Sequence, residues 1–490
     1  MRRLLLTLGG AAALAVPAAA AAASHQTAFI PNDPLLSHQW YLAQTKAFDF
    51  WPQIPALPTV RVAVVDSGLD GGHPEFAHRV LASKSFVGGS PLSDSKGHGT
   101  FVAGEIAAAA NNGQGIAGIA FPAQLLIAKV VGSDGSIPLT AEANAIRWAA
   151  DRGARVINLS LAGLRDPLNP RRDSYSSLEA AAIRYAYRKG TLVVAAAGNA
   201  DQAPRTPWNF AGYPAALPHV LGVSALTIAG DVPSFSNRDV LYDDISAPGS
   251  EIFSALPRAL TASRPSCPDQ GYSNCGSTEF RHAEGTSFSA PMVTAAAALV
   301  LAYKPALHPD QVAWILERAA TDMTGATGCR ACPTGRDRLS GWGRLDVNAA
   351  LIKATAGPIP RGDTREPDDD AGWEASRALG ARGRVLATID YWDDPVDVYG
   401  LHLRRGQRLS VSVSSAEGVS SNLLLWKPGT IRVGDQSPEN LRRRVAQSAH
   451  SGPVQNIRGY EAPVEGWYFV EVKADSKSSG PYSLRYRKSR

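Results

Sequence analysis

The stretch between residues 61 and 355 alternates short apolar runs with helical patterns, and this alternation restricts the fold more than any other feature. The β-like runs include RVAVVD, QLLIAKVV, RVINLS and TLVVAAAG, and helical patterns such as TAEANAIRWAADRG and LEAAAIRYAYRKG lie between them. Strands that alternate with helices form parallel sheets whose two faces are both covered. The pattern therefore predicts an α/β domain with helices on both faces of a parallel sheet.

The sequence changes character after this domain. Residues 356–372 include GPIPRGDTREPDDD, whose Pro, Gly and acidic residues are typical of an exposed linker. Residues 373–490 contain short alternating segments such as RLSVSVSS, NLLLWK and GWYFVEVKA, which predict an all-β sandwich. Two domains also suit a chain of 490 residues, because a single core rarely grows past ~300 residues.

The N-terminal residues 1–23 have the pattern of a secretory signal peptide. Two arginines precede an apolar stretch broken by Gly and Pro, and small residues follow at Ala21, Ala22 and Ala23. A membrane anchor is the alternative, but Ala and Gly give weak lipid affinity. We therefore expect a secreted or periplasmic protein, with no stable membrane anchor after signal removal and with the α/β domain over residues 24–355.

The four cysteines are interpreted in the light of export, because oxidising compartments favour disulfides. We predict the pairs Cys267–Cys275 and Cys329–Cys332. A zinc site made by all four thiolates is the alternative.

The overall charge excludes one class of partner. The formal net charge is +5, and the basic residues are scattered apart from Arg442–Arg444 and the tail Arg485–Arg490. These clusters fit a solvated face, so nucleic-acid binding is not expected. We expect a monomer.

Four polar residues follow strands or begin helices of the predicted sheet. Asp66 ends RVAVVD, His98 begins a helix, Asn199 follows TLVVAAAG, and Ser287 precedes a long apolar helix. Ligand sites of open parallel sheets lie at the carboxyl ends of the strands. We therefore expect these four side chains to form one site.

The four residue types have complementary roles in acyl transfer. A serine hydroxyl is a weak nucleophile and needs a base, which imidazole supplies near neutral pH. Asp66 would orient His98, and Asn199 with the Ser287 backbone N–H would stabilise the oxyanion. Each residue alone also has a structural explanation as a turn or helix cap.

The segments AVVDSGLDGGHPEF, GHGTFVAG, AAAGN and GTSFSAPMV resemble the four signature blocks of the subtilase family of serine peptidases. The resemblance spans residues 32 to 355, and the order Asp66, His98, Ser287 is that of the family. It implies a subtilisin-like fold and a serine endopeptidase acting on polypeptides. A catalytically inactive binding scaffold and a secreted esterase using the same triad are the alternatives.

The resemblance also implies where the substrate binds. Its backbone would pair with Ser160 to Gly163 and with a second segment, Gly132 to Gly135, as an added strand. The walls of the side-chain pocket would be small and uncharged, so we expect apolar residues before the cleaved bond. The candidate substrate-binding residues are Ser160, Leu161, Ala162, Gly163, Ala197, Gly198 and Tyr213.

Two places could hold structural calcium, and the chemistry itself needs no cofactor. Glu75 stands where many subtilases have a calcium-binding aspartate, and AAAANNGQG, with Asn111 and Asn112, resembles their calcium loop; a simple turn is the alternative. The segments EPDDDAGWEASRAL, DDPVDVYGLHL, GQRLSVSV and EGWYFVEV resemble the prepeptidase C-terminal domain of secreted peptidases. Asp393, Asp394 and Asp397 in this region could also bind calcium, and a solvated acidic edge is the alternative.

Overall fold

The computed structural model describes residues 29–490, apart from 170, 262–278, 358, 361–364, 373–374, 379, 476 and 490. The predicted signal peptide and the predicted Cys267–Cys275 pair lie outside the described residues.

A seven-stranded parallel sheet forms the centre of the N-terminal domain. Its strands are β1 Val60–Asp66, β2 Val80–Ser85, β3 Ala123–Lys129, β4 Val156–Leu159, β5 Leu192–Ala196, β6 Val220–Leu226 and β7 Ile245–Pro248. They are ordered β2-β3-β1-β4-β5-β6-β7, and every neighbouring pair is parallel. A separate antiparallel hairpin pairs β8 Ile252–Ala255 with β9 Phe280–Ala283.

Helices cover both faces of this sheet, as the sequence predicts. The helices are α1 Trp40–Gln44, α2 His98–Ala107, α3 Leu139–Asp151, α4 Ser177–Arg188, α5 Arg258–Thr261, α6 Ala290–Tyr303, α7 Pro309–Ala319 and α8 Val347–Thr355. Along β1, Val62 and Val64 pack with α2, α6, α7 and α8, whereas Ala63 and Val65 pack with α3 and α4. The twofold alternation of strand side chains thus divides one run of apolar residues between two cores.

Helix α6 is the central helix of the larger core. Within the described part of the chain, Thr286–Tyr303 is long and apolar enough to cross a membrane, with a mean hydropathy of 1.4, yet 89% of that window is buried inside the domain. Its small residues contact α2, β1 and β4. This packing holds the turn just before the helix, which carries Ser287.

Among its described residues, the C-terminal region is all-β except for one short helix, α9 Pro438–Leu441. Its strands are β10 Ser376–Arg377, β11 Arg382–Asp390, β12 Val396–Leu403, β13 Arg408–Ser415, β14 Ser421–Trp426, β15 Arg444–Ser448, β16 Val454–Glu461, β17 Gly466–Ala474 and β18 Ser479–Ser489. They form one sheet ordered β10-β12-β17-β14-β15 and a second ordered β11-β18-β13-β16. Apart from the parallel β10–β12 pair the pairing is antiparallel, and the apolar faces enclose one core.

Charged and aromatic side chains join the two domains. The Arg318 guanidinium donates to Asp393 of the β-domain at 2.8 Å, and it lies 3.6 Å from the centroid of the Trp342 ring. Arg336 of the α/β domain lies 4.0 Å from the centroid of the Trp392 ring. Contacts of this kind are strongest where water is excluded, so the domains are coupled through more than the linker.

Candidate active site

The four predicted catalytic residues line one cavity at the carboxyl edge of the sheet. Asp66 ends β1, His98 begins α2, Asn199 follows β5, and Ser287 lies in a short 3₁₀ turn, Thr286–Phe288, that leads into α6. The cavity has a volume of about 570 Å³. The parallel topology therefore brings together residues that lie far apart in sequence.

The carboxylate and the imidazole are in direct contact. His98 Nδ1 lies 2.8 Å from Asp66 Oδ1 and 2.9 Å from Oδ2, and the Asp66 side chain is buried. Burial lowers the pKa of His98, but the charge and hydrogen bond of Asp66, with a contribution from Asp94, outweigh it, so the pKa is raised. The arrangement stabilises the imidazolium and leaves Nε2 as the other proton-carrying atom of the ring.

Asp94 supports this pair and was missed by the sequence analysis. It accepts hydrogen bonds from the Thr100 backbone N–H at 2.9 Å and the Thr100 hydroxyl at 2.7 Å, at the start of α2. It also accepts from the Ser67 hydroxyl, which in turn accepts from Gly99 N–H. The signal was available, since an aspartate just before a helix often accepts from its first-turn amides.

Ser287 lies on the cavity with its hydroxyl directed at the main chain. Its Oγ donates to the Ser160 carbonyl at 3.2 Å, and the Ser160 hydroxyl donates back to the Ser287 carbonyl at 2.6 Å. A hydroxyl has one proton, so Ser287 is not donating to His98 in this state. Catalytic hydrogen bonds often form only when substrate is bound.

The amide of Asn199 is oriented by Thr286. Its Oδ1 accepts from the Thr286 backbone N–H at 3.1 Å and from the Thr286 hydroxyl at 3.0 Å. That assignment leaves Nδ2 as the donor end of the side chain. Gly285 has φ 146°, and a Cβ there would lie 3.2 Å from Asn199 Nδ2, so glycine allows the backbone to approach closely.

The predicted substrate-binding residues fall into two groups. Those that line the cavity are Ser160, Leu161, Ala162, Gly163 and Gly198. Gly135 of the second predicted segment and Val131, just before that segment, line it too. Ala197 and Tyr213 lie behind this wall, with 0% and 5% of their surfaces exposed. The Ala197 carbonyl accepts from Gly212 N–H at 2.8 Å. Both residues are therefore placed to support the wall through backbone contacts.

The loop predicted to bind calcium near Glu75 is closed by its own hydrogen bonds. Asn111 Oδ1 accepts from Asn32 N–H and Asn112 Oδ1 from Gln114 N–H. Glu75 Oε1 accepts from Ile116 N–H at 2.9 Å. Burial raises the Glu75 pKa to about 7, although the Ile116 hydrogen bond acts in the opposite direction. Glu75 Oε2 is buried and has no hydrogen-bond partner among the described residues, so calcium binding at this place stays a prediction.

A group of carboxylates lies where the linker meets the β-domain. One oxygen each of Glu366, Asp368 and Asp397 lie within 4.8 Å of one another. The Glu366 side chain is 4% exposed, and its Oε1 has no hydrogen-bond partner among the described residues. Burial, then the charges of Glu366 and Asp397, raise the pKa of neighbouring Asp394 well above its usual value. Asp393, predicted with this group, pairs with Arg318 instead.

A histidine of the α/β domain fastens the linker nearby. His219 Nε2 lies 3.0 Å from Asp369 Oδ2 and 3.3 Å from Glu366 Oε2, and its ring stacks on Tyr187 at 3.9 Å. Burial lowers the His219 pKa, but Asp369, Asp310 and Glu366 together raise it well above its usual value. The imidazolium is held by its carboxylate partners, which fastens the linker to the α/β domain.

Cys329 and Cys332 form a disulfide, as predicted. The bond stands against the zinc alternative, because zinc is bound by free thiolates.

A parallel α/β sheet with a carboxylate–imidazole pair and a serine on one cavity is the arrangement of serine hydrolases. Residues 58–343 match the model of the subtilase family, "Peptidase_S8: Subtilase family". The chain belongs to the subtilase family, and its enzyme class is that of a serine protease.

Individual proteins agree with this assignment. The chain is 38% identical to thermitase of Thermoactinomyces vulgaris over 48% of this chain and 79% of that protein. It is 35% identical to the major intracellular serine protease of Bacillus subtilis over 53% of this chain and 73% of that protein. A solved structure, of proteases from Pseudoalteromonas arctica, matches 66% of this chain and 99% of its own with a TM-score of 0.53 and 27% identity.

Proposed function

We propose that the protein is a secreted serine endopeptidase that cleaves peptide bonds through an acyl-enzyme. Ser287 is the nucleophile, His98 the general base and acid, Asp66 the residue that orients His98, and Asn199 the oxyanion donor. The observation that carries the proposal is the pair of hydrogen bonds between His98 and Asp66 on the cavity that Ser287 and Asn199 also line.

The first half of the reaction forms the acyl-enzyme. The Ser287 hydroxyl turns from the Ser160 carbonyl toward His98 Nε2, gives up its proton to that nitrogen, and Oγ attacks the scissile carbonyl. The oxyanion accepts hydrogen bonds from Asn199 Nδ2 and the Ser287 backbone N–H. When the C–N bond breaks, His98 passes the proton to the leaving amine.

The second half repeats these steps with water. His98 takes a proton from a water molecule, the resulting hydroxide attacks the ester carbonyl, and the same two donors hold the second oxyanion. The C–Oγ bond breaks, His98 returns the proton to Ser287, and the carboxylic acid product leaves.

The substrate backbone binds along Ser160 to Gly163, with the Val131–Gly135 side of the cavity opposite. Main-chain pairing of this kind gives affinity without strict sequence demand. The small residues Ala162, Gly163 and Gly198 favour an apolar side chain before the cleaved bond, because they place no charge on that wall.

Export is supported by the N-terminal pattern and the disulfide. Among the relatives, one from Xanthomonas campestris is named an extracellular protease, whereas the Bacillus subtilis relative is named intracellular. We infer that this chain acts outside the cytoplasm.

A structural calcium ion could be held by the carboxylates at the linker–β-domain junction as well as by the Glu75 loop. Glu366 Oε1 and Asp394 Oδ1 are buried oxygens without hydrogen-bond partners among the described residues, and hard oxygen ligands suit calcium. A bound ion would neutralise the crowded charge there and stabilise the junction, at a distance from the reaction.

Labelling with a fluorophosphonate probe tests the proposed nucleophile. The secreted protein is treated with the probe, and the modified peptide is identified by mass spectrometry. We expect labelling at Ser287 and none in the variant Ser287→Ala, while Ser289→Ala, a matched change two residues away, keeps the label. Equal labelling of wild type and Ser287→Ala would contradict the assignment.

Two further measurements separate the alternatives. A binding scaffold would bind polypeptides without cleaving them or taking the label. An esterase would hydrolyse activated esters while leaving internal peptide bonds of a denatured protein intact. Fragmentation of denatured casein that stops with Ser287→Ala is the result expected for an endopeptidase.

A further inference from the structure

One arginine of the β-domain reaches the α/β domain next to the cleft. The Arg432 guanidinium lies 3.4 Å from the centroid of the Tyr175 ring. Its charge also acts on the Tyr213 hydroxyl. A guanidinium over an aromatic face is attracted to it most strongly when water is excluded. Arg432 therefore packs on Tyr175 and acts electrostatically on Tyr213, both in the other domain.

Tyr213 connects this contact to the wall of the cleft. Its ring is buried and packs edge-on against Tyr175, with the ring centroids 5.7 Å apart. Its backbone pairs with Gly163, since Gly163 N–H donates to the Tyr213 carbonyl at 2.7 Å and Tyr213 N–H to the Gly163 carbonyl at 3.0 Å. Gly163 is the last residue of the Ser160–Gly163 wall.

The contact between these two backbones is close enough to transmit small shifts. A Cβ built on Gly212, the neighbour of Tyr213, would collide with the Gly163 carbonyl. Leu164, next along the wall, accepts from Ser174 N–H at 2.9 Å. Because the segment is paired on this side and packed tightly, its position depends on where Tyr213 lies.

The β-domain and the linker in turn hold Arg432 in place. The Arg432 carbonyl accepts from Asn440 Nδ2 at 2.6 Å, and Val433 N–H donates to Asp370 Oδ1 at 2.7 Å. The charge of Asp370 also acts on the guanidinium. The guanidinium is thus presented by a supported loop rather than by a free side chain.

We propose that Arg432 is a positioning residue for substrate binding: it holds Tyr213, and through it the Ser160–Gly163 wall, so that the β-domain helps to shape the cleft. The inference rests on the proposed peptidase function. Arg432 touches none of the reacting atoms, so its effect falls on peptides long enough to pair with the wall. The triad and its reactivity stay as they are.

Steady-state kinetics on the full-length protein test the proposal with two matched substrates. One is a tetrapeptide anilide whose backbone spans Ser160 to Gly163, and the other is a single-residue anilide with the same final residue. In Arg432→Met, which keeps the stem and loses charge and donors, KM for the tetrapeptide rises about fivefold, the size of one net hydrogen bond. The single-residue KM and the rate of fluorophosphonate labelling stay within about twofold.

Two variants make the result specific. Arg458→Met removes an exposed arginine of the same domain and leaves both substrates unaffected. Tyr213→Phe removes the hydroxyl on which the Arg432 charge acts, so Arg432→Met made in that background adds less than it does in the wild type.

The possible results separate cleanly. An unchanged tetrapeptide KM in folded Arg432→Met overturns the proposal, and so does an equal loss on both substrates and in labelling, which would indicate general destabilisation. A wild-type protein that cleaves neither substrate and takes no label refutes the peptidase function itself, and the proposal falls with it.

Discussion

The orientation of the Asn199 amide by Thr286 leads to a graded prediction for the oxyanion site. Thr286 donates twice to Asn199 Oδ1, at 3.1 and 3.0 Å, so Nδ2 is preset as a donor before substrate arrives. Such preorganised donors contribute most when they meet charge that develops only in the transition state.

Removing the Asn199 donor and weakening its orientation should lower kcat by different factors. Asn199→Ala lowers kcat by ~10² to 10³, about 2.7 to 4 kcal/mol, the magnitude known for the corresponding donor of subtilisin. Thr286→Val removes the 3.0 Å hydroxyl contact and keeps the backbone one. The loss of about 1 kcal/mol for one net hydrogen bond predicts about a fivefold fall in kcat.

The assay is initial-rate hydrolysis of a peptide anilide, with active enzyme counted by fluorophosphonate titration. Thr286→Ser keeps the hydroxyl and is expected to retain kcat within about twofold, which makes it the matched control for Thr286→Val. KM should change little in all three variants, because the ground-state carbonyl gains less from the donor than the oxyanion does.

The reasoning fails if Asn199→Ala loses less than about tenfold in kcat, or if its loss appears in KM alone. It also fails if Thr286→Ser is as slow as Thr286→Val, since the hydroxyl would then have no part in aiming the amide.

Four further outcomes are expected. The charge and hydrogen bond of Asp66 outweigh burial, so the His98 pKa is raised. We therefore expect kcat/KM to fall as pH drops through a value above ~6.5. A flat profile down to pH ~5 contradicts this expectation. Asp66→Asn should lower kcat by about 10⁴-fold with little change in KM, measured on the same anilide. Calcium at about 100 times its dissociation constant should raise the melting temperature by about 5 °C relative to chelator. Asp394→Asn should abolish that response. An equal response in wild type and variant would place the ion elsewhere. Burial and the adjacent Glu142 raise the Glu179 pKa to about 9. The folded state therefore keeps a proton that the unfolded state releases near pH ~4.3, and the free energy of unfolding should fall as pH rises across this range. Calorimetry should find a shallower fall in Glu179→Gln.

Most of the α/β domain follows from local sequence, because its strands are buried on both faces and read as continuous apolar runs. RVAVVD becomes β1 and TLVVAAAG becomes β5 within a residue or two. The catalytic candidates could be selected for the same reason, since a polar residue directly after such a strand stands out. The two-sheet region after the linker also follows the predicted alternation.

Contacts between distant segments could not be predicted in this way. Nothing in the sequence near Tyr213 indicates that its backbone, rather than its side chain, meets the cleft wall through Gly163. The sequence also does not show that the backbone N–H of Asn32, far away along the chain, donates to Asn111 Oδ1, or that Gln114 N–H donates to Asn112 Oδ1. Residue type limits what a side chain can bind, whereas the fold determines which of the possible partners lies in contact with it.

The stacking of Arg336 on Trp392 and of Arg318 between Trp342 and Asp393 bears on how this protein can be shortened. A fragment stopped after residue 355 would present Trp342 to water and would leave His219 without its linker carboxylates. The sequence boundary is thus a poor place to cut. The shortest version worth producing in quantity is one that keeps both halves, and an engineer who wants a smaller catalyst would first have to redesign the surface that the second half now shields.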